Sequence, residues 1–314
     1  MTLSTALIAF VAGVVLVVIA TERLLEGLVG LARAARVAPF VAAAVLSGLE
    51  AENVAVGLAA GSRGASDIAL GTAFGGAIFL LCVALGLGAI IAPLRVRLPR
   101  VVVLLLPTSA VVAGLPILFP TTPRWTGVVL LFVFAVAIAV LAGASRNHRF
   151  LSADAEDGGG VSVQRDRPVK VLALVTFLGI AAITAGGELV AYGAETVIRT
   201  AGLSAGLIGV VITPAAIEAE EVIRQVVPAR RGRPDVSAGN AVGTVIYFLL
   251  FNLGLIALFT PVSVPPYVRE LDWPFLLAGS IVAAGFLLRG GLGRMSGALL
   301  VALGVAFAIL QSLR

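Results

Sequence analysis

The sequence predicts an all-α polytopic membrane protein, with ten transmembrane helices arranged as two inverted-topology five-helix repeats. Three observations lead there. Of 314 residues, 60% are hydrophobic and only 12% charged, against roughly 25% charged in average soluble domains. The apolar residues fall into ten long runs. Two stretches of the chain match one another at a shift of 168 residues.

A bilayer core needs about 20 apolar residues per helix. The candidate runs are 3–20, 39–60, 68–93, 101–119, 125–144, 171–197, 205–227, 236–259, 273–287 and 295–310, the ninth being short and the sixth long. Mean hydropathy is +1.10. Aromatic residues are only 6% and glycines number 36, a composition that lets membrane helices pack closely. No basic residue precedes the first run, which reads as a span rather than a cleavable signal. Between the fifth and sixth runs, 145–170 is polar and holds Asp154, Glu156, Asp157 and Gly158 to Gly160. It cannot bury a core and reads as a flexible linker. The halves are then 1–144 and 171–314.

The net charge of +5 and pI near 10.3 fit loops facing anionic headgroups rather than a nucleic-acid surface. With the N-terminus outside, 15 basic residues between Arg33 and Arg294 fall on the inner side. Only Arg63, Arg124, Arg199, Arg269 and Arg314 fall on the outer side. This bias predicts a cell-membrane protein with both termini extracytoplasmic and the 145–170 loop cytoplasmic. The lone Cys82 and lone His148 leave no disulfide framework and no histidine-based catalytic motif. The expectation is no enzyme and no cofactor. The partners expected are inorganic cations and the lipid bilayer, with no nucleic acid and no obligatory protein partner.

The matching stretches lie in 46–90 and 214–258. Gly48-Leu49-Glu50-Ala51-Glu52-Asn53-Val54 corresponds to Ala216-Ile217-Glu218-Ala219-Glu220-Glu221-Val222. The same shift pairs Arg63 with Arg231, Gly64 with Gly232, Asp67 with Asp235, Gly71 with Gly239 and Gly75 with Gly243. Shared acids, arginine and glycines at one shift indicate an internal repeat. Five spans separate the copies, so they cross the membrane in opposite directions, as in many secondary transporters.

Glu50, Glu52, Glu218 and Glu220 fall deep inside apolar runs, and Glu221 is a fifth acid there. Each costs roughly 2.5–3.5 kcal/mol at the bilayer centre even on a lenient scale. In a regular helix, residues i and i+2 point about 200° apart. Gly48 and Pro214 are the expected break points that relax this constraint. Carboxylates from two broken helices form an oxygen cage suited to hard cations such as Ca²⁺ or Na⁺. Their mutual repulsion raises at least one pKa, letting protons trade with a metal ion. Asp67 and Asp235 each precede an apolar run and read as helix caps. Gly71 with Gly75 and Gly239 with Gly243 read as tight helix contacts or a close approach to the ion path. Glu22, Glu26 and Glu195 read as interfacial, and Glu188 is placed to line a vestibule.

These residues resemble the calcium/cation exchanger superfamily, which includes sodium/calcium and calcium/proton exchangers. Gly48 to Glu52 is similar to the Gly-Asn-Ala-x-Glu stretch of the proton-coupled branch. The runs from Asp67 to Gly71 and from Asp235 to Thr244 look like its Asp-Ile-x-x-Gly-Asn-x-x-Gly-Ser stretch. By resemblance, Glu52 and Glu220 take the central ion-binding places. Glu50 and Glu218 add ligands or carry protons, and Thr244 stands where the family has a ligand serine. The chain departs at Gly76, the first repeat's counterpart of that serine. It departs again at Phe79-Leu80 and Tyr247-Phe248, where the family has Asn, Asp or Gln. The resemblance implies a secondary cation antiporter exchanging Ca²⁺ or a similar cation for H⁺ or Na⁺ by alternating access. A Na⁺/H⁺ exchanger on the same fold, or a non-transporting structural or sensor protein derived from it, are the alternatives.

Overall fold

The computed structural model describes residues 3–35, 44, 51–64, 66–147, 168–200 and 219–313. At 3, 51, 52, 55, 145–147, 187, 188, 190–200, 219 and 220 the description covers the backbone only. The described elements are helices: α1 (Leu3–Ala35), α2 (Ala51–Ser62), α3 (Ser66–Ile91), α4 (Arg100–Ile117), α5 (Arg124–Asn147), α6 (Val169–Thr200), α7 (Ala219–Arg230), α8 (Pro234–Phe259), α9 (Val268–Leu288) and α10 (Arg294–Ser312). Among the described residues, eight helices are long and apolar enough to cross a bilayer. The remaining two, α2 and α7, are the later parts of the expected spans 39–60 and 205–227. The earlier parts of those spans lie outside the described residues, as do the expected break points Gly48 and Pro214 and most of the 145–170 linker.

Two expected spans extend by five residues or more at one end. The first, read as 3–20, continues to Ala35 and is 33 residues long, about 50 Å at 1.5 Å per residue. Its second half is amphipathic, burying Leu24, Leu25, Leu28, Val29 and Ala32 while Glu22, Arg23 and Glu26 stay at least partly exposed. Charges on one face do not end a helix whose other face is covered. The ninth, read as 273–287, begins at Val268 with a π-helical turn over Val268–Asp272. Arg269, Glu270 and Asp272 hid that turn from a hydropathy reading.

The repeat holds at the level of backbone. Shifting α2 by 168 residues gives both ends of α7, and shifting α3 gives both ends of α8. Within α3, a π-helical segment spans Phe79–Ala84. Within α8 the matching segment spans Tyr247–Asn252, at the same shift. The turns joining α2 to α3 and α7 to α8 each hold a glycine, Gly64 and Gly232, with φ of 73° in both. A side chain is strained there, so each hairpin depends on glycine at that place.

Each half is built into the other. Gly86 of α3 lies against Gly297 of α10, and Gly254 of α8 lies against Gly127 and Leu130 of α5. The last helix of each half therefore packs on the repeat helix of the opposite half. The extended loops repeat this exchange. Leu94 pairs with Leu292 at one end of the bundle. At the other end, Thr122 pairs with Val262 through N–H···O at 2.9 Å. The helices α1 and α6 pair antiparallel, with Gly30 on Leu172 and Gly179 on Leu24. Contact between α1 and α7 is closed by an ion pair of Glu22 with Arg231.

Asp67 and Asp235 lie inside the first turns of α3 and α8 rather than at their N-caps. The N-cap of α8 is Arg233, which makes no side-chain cap bond. Asp235 instead takes a two-pronged bond from Arg233 at 2.7 and 3.0 Å. Asp67 accepts from the Tyr267 hydroxyl at 2.7 Å. Both carboxylates still sit favourably at the positive end of a helix dipole.

The glycine contacts give a direct check. A Cβ on Gly297 would stand 2.5 Å from the Gly86 carbonyl oxygen, whereas a Cβ on Gly285 meets no described atom within 4 Å. Gly297→Ala is expected to cost about 2 kcal/mol. Gly285→Ala is expected to stay within about 0.5 kcal/mol of the parent. Thermal unfolding in one detergent measures both.

Candidate functional site

The two hairpins set depth by counting. Glu52 precedes Gly64 by as many residues as Gly76 follows it. Glu220 and Thr244 flank Gly232 in the same way. Glu52 is ten residues from Ser62 at the end of α2, and Glu220 is ten residues from Arg230 at the end of α7. At 1.5 Å per residue each stands about 15 Å from its hairpin turn. The turns lie at opposite ends of the bundle, and a hydrocarbon core is about 30 Å thick. All four positions therefore fall near the midplane.

Side-chain contacts are described for only part of this set. Glu50 and Glu218 lie outside the described residues. Glu52 and Glu220 are placed by helix backbone alone, as is Glu188. Thr244 is fully buried, and its Oγ1 has no hydrogen-bond partner among the described residues. A buried hydroxyl without a partner is costly, so one in a native site points to a group that it serves.

Helices α3 and α8 meet at the same level. A Cβ on Gly76 would stand 3.1–3.4 Å from the ring of Phe248, which is fully buried. The aromatic ring thus fills the space beside the glycine. The two departures seen in the sequence, Gly76 and Phe248, are one packing event. Close to this contact, Asn252 Nδ2 donates to Thr72 Oγ1 at 3.2 Å, while Asn252 Oδ1 is buried and unpaired among the described residues. Gly243 lies against the backbone of Ala44, beside Thr244. This is a tight backbone contact, the first of the two readings for the Gly239 and Gly243 pair. Its counterpart Gly75 meets nothing among the described residues.

Glu221, the fifth acid, is held by partners within the protein. It is fully buried and forms an ion pair with Arg224, one turn further along α7, which is 4% exposed. Asn240 of α8 donates Nδ2 to its other oxygen at 2.9 Å. A buried pair persists when remaining lone pairs are also bonded, and Asn240 supplies that bond. One residue on, Gln225 is fully buried, and neither amide atom has a partner among the described residues. Its backbone carbonyl accepts from Ser237 Oγ at 2.7 Å.

Arg224, Asn240, Gln225 and Asn252 were not singled out as site residues from sequence. Arg224 falls three residues before the end of the expected span 205–227. The available signal was its spacing: three residues after Glu221 and four after Glu220, where side chains share a helix face.

Comparison with known proteins follows this geometry. The profile of the family described as "Sodium/calcium exchanger protein" matches residues 5–143 and 171–313, the two halves either side of the linker. The chain is 29% identical over 292 residues to "Inner membrane protein YrbG" of Escherichia coli (strain K12), covering 90% of this chain and 88% of that protein. It is 23% identical over 302 residues to "Putative antiporter CaxA" of Alkalimonas amylolytica, covering 92% and 93%. Its fold matches the sodium-calcium exchanger NCX_Mj soaked with zero Na⁺ and Ca²⁺. There the TM-score is 0.81 and the identity 21%, over 100% of both chains. The same exchanger soaked with 10 mM Na⁺ and 10 mM Sr²⁺ also gives 0.81, at 20% identity over 98% of this chain and 99% of that one. With both halves matched by one family profile, the chain belongs to the sodium/calcium exchanger family.

Proposed function

We propose that the protein is a secondary cation antiporter that moves Ca²⁺ or a similar hard cation against H⁺ or Na⁺ by alternating access. The observation that carries this is the placement of Glu52 and Glu220. They stand about 15 Å from opposite ends of the bundle, on helices with the same bounds at a 168-residue shift. Two acids at one depth, on inverted elements, are what a site alternately open to either side requires. Thr244 adds a neutral oxygen at that depth. Glu50 and Glu218 are the further ligands or proton carriers of this reading. With Glu221 held by Arg224, each repeat is left with the same two acids.

The membrane orientation follows from charge. The end carrying Arg231, Arg233 and Arg95 faces the cytoplasm of the cell membrane, as does the 145–170 loop, and both termini face outward.

Na⁺/H⁺ exchange on the same fold is the second reading. The observation favouring it is the Phe248 ring against Gly76, which replaces two oxygen ligands with an apolar contact. Divalent affinity falls when ligand number and charge are reduced.

Flux in proteoliposomes under imposed pH and Na⁺ gradients tests the first reading. Glu52→Gln and Glu220→Gln are each expected to lower cation flux by about two orders of magnitude, through loss of a charged ligand. Flux that survives both substitutions refutes the assignment. A second measurement separates the two readings. Gly76→Ser with Phe248→Asn restores two oxygens, and is expected to raise Ca²⁺ flux about tenfold relative to Na⁺/H⁺ flux. Gly76→Ser alone is expected to lower stability, because the Phe248 ring must give by a few tenths of an ångström to admit the side chain.

A further inference from the structure

Beside the Glu221–Arg224 pair, the packing of α1 on α7 and α8 leaves a cavity of about 10 Å³. Leu24 and Leu28 make its α1 wall apolar, with Thr21 the polar exception, and Arg224 and Asn240 stand on the wall as well. All five side chains are buried. Thr21 Oγ1 has no hydrogen-bond partner among the described residues. A helical threonine can turn its hydroxyl back to the carbonyl one turn earlier. Thr176 and Thr260 both do so, at 2.9 and 3.1 Å. Thr21 leaves that bond unmade, although a buried hydroxyl without a partner is costly.

The wall selects the guest by size and by charge. A cavity of this volume has room for about one water molecule. A cation is repelled by the guanidinium of Arg224. An anion finds no net charge, because Glu221 already pairs with that guanidinium. What fits is a small neutral molecule that both donates and accepts. A threonine hydroxyl does both, an asparagine carbonyl offers two lone pairs, and a guanidinium carries five N–H donors. Buried waters make about three hydrogen bonds, and the wall carries three polar side chains. In the first repeat, Val56 and Thr72 occupy the places of Arg224 and Asn240. There the Thr72 hydroxyl already donates to the Ala69 carbonyl and accepts from Asn252.

We propose that this cavity is the site of one resident water molecule. The water bonds Thr21 of α1 to Asn240 and Arg224, and carries the network around Glu221 across to α1. The buried ion pair is then tied to α1 through the water, as the Glu22–Arg231 ion pair ties α1 to the hairpin turn. The site is independent of the antiport reading, since it holds a fixed water and no transported ion.

Thr21→Val tests it, because the variant keeps the side-chain volume and removes only the hydroxyl. With the water in place, the substitution takes away one of its partners. The thermal unfolding midpoint in one detergent is then expected to fall by about 3 °C. In a dry cavity the parent hydroxyl is an unpaired buried group, so valine leaves the midpoint unchanged or raises it. Either of those outcomes overturns the proposal. A crystal structure that resolves ordered waters gives the second measurement. Density within about 3.2 Å of Thr21 Oγ1 is expected in the parent, and a parent cavity without it also overturns the proposal.

Discussion

A charge inside hydrocarbon must have a partner, and the architecture around the midplane follows from that constraint. Water is absent from the bilayer core, so an unmatched carboxylate there is costly. Glu221 meets the requirement within the protein, through Arg224 and Asn240. The counter-charge for such acids is either a built-in side chain or a cation from solution. That choice separates a structural ion pair from a transport site.

The second constraint is that the two halves share one frame. The exchanged contacts supply it. Gly86 with Gly297 and Gly254 with Gly127 lock the closing helix of each half onto the opposite repeat. Neither half can shift as an independent block without breaking close backbone contacts, where even a methyl group would not fit. The hairpins carrying the acids are thus held by helices from both halves. That is how two matching elements can form one site.

Much of this was legible before any coordinates. The shift of 168 residues anticipated that α2 corresponds to α7 and α3 to α8, though not where those helices begin and end, because glycine and acid positions are fixed by backbone geometry and chemistry. The midplane depth of Glu52 was also available, since it depends only on distance from Gly64. What stayed hidden depends on neighbours distant in sequence. The extension of α1 past Ala20 needed knowledge of what covers its apolar face. The role of Phe248 needed the facing glycine, Gly76, on another helix. The pairing of Glu221 needed a decision on whether Arg224 snorkels or turns inward, and spacing alone permits both.

The two repeats are alike in backbone and unlike in chemistry, and the difference has a direction. The second repeat holds Thr244, Asn240 and the Glu221–Arg224 pair. The first has Gly76, Thr72, Asn53 and Val56 at those places. The electrostatic surroundings of the two hairpins therefore differ. A buried Glu221–Arg224 pair, with Asn240 bonded to its carboxylate, stands in the second, and no charge stands at the matching places of the first. The glycine turns and π-helical segments recur because main-chain geometry fixes them. The side chains at matched positions meet different neighbours, so the same backbone carries unequal fields in the two halves.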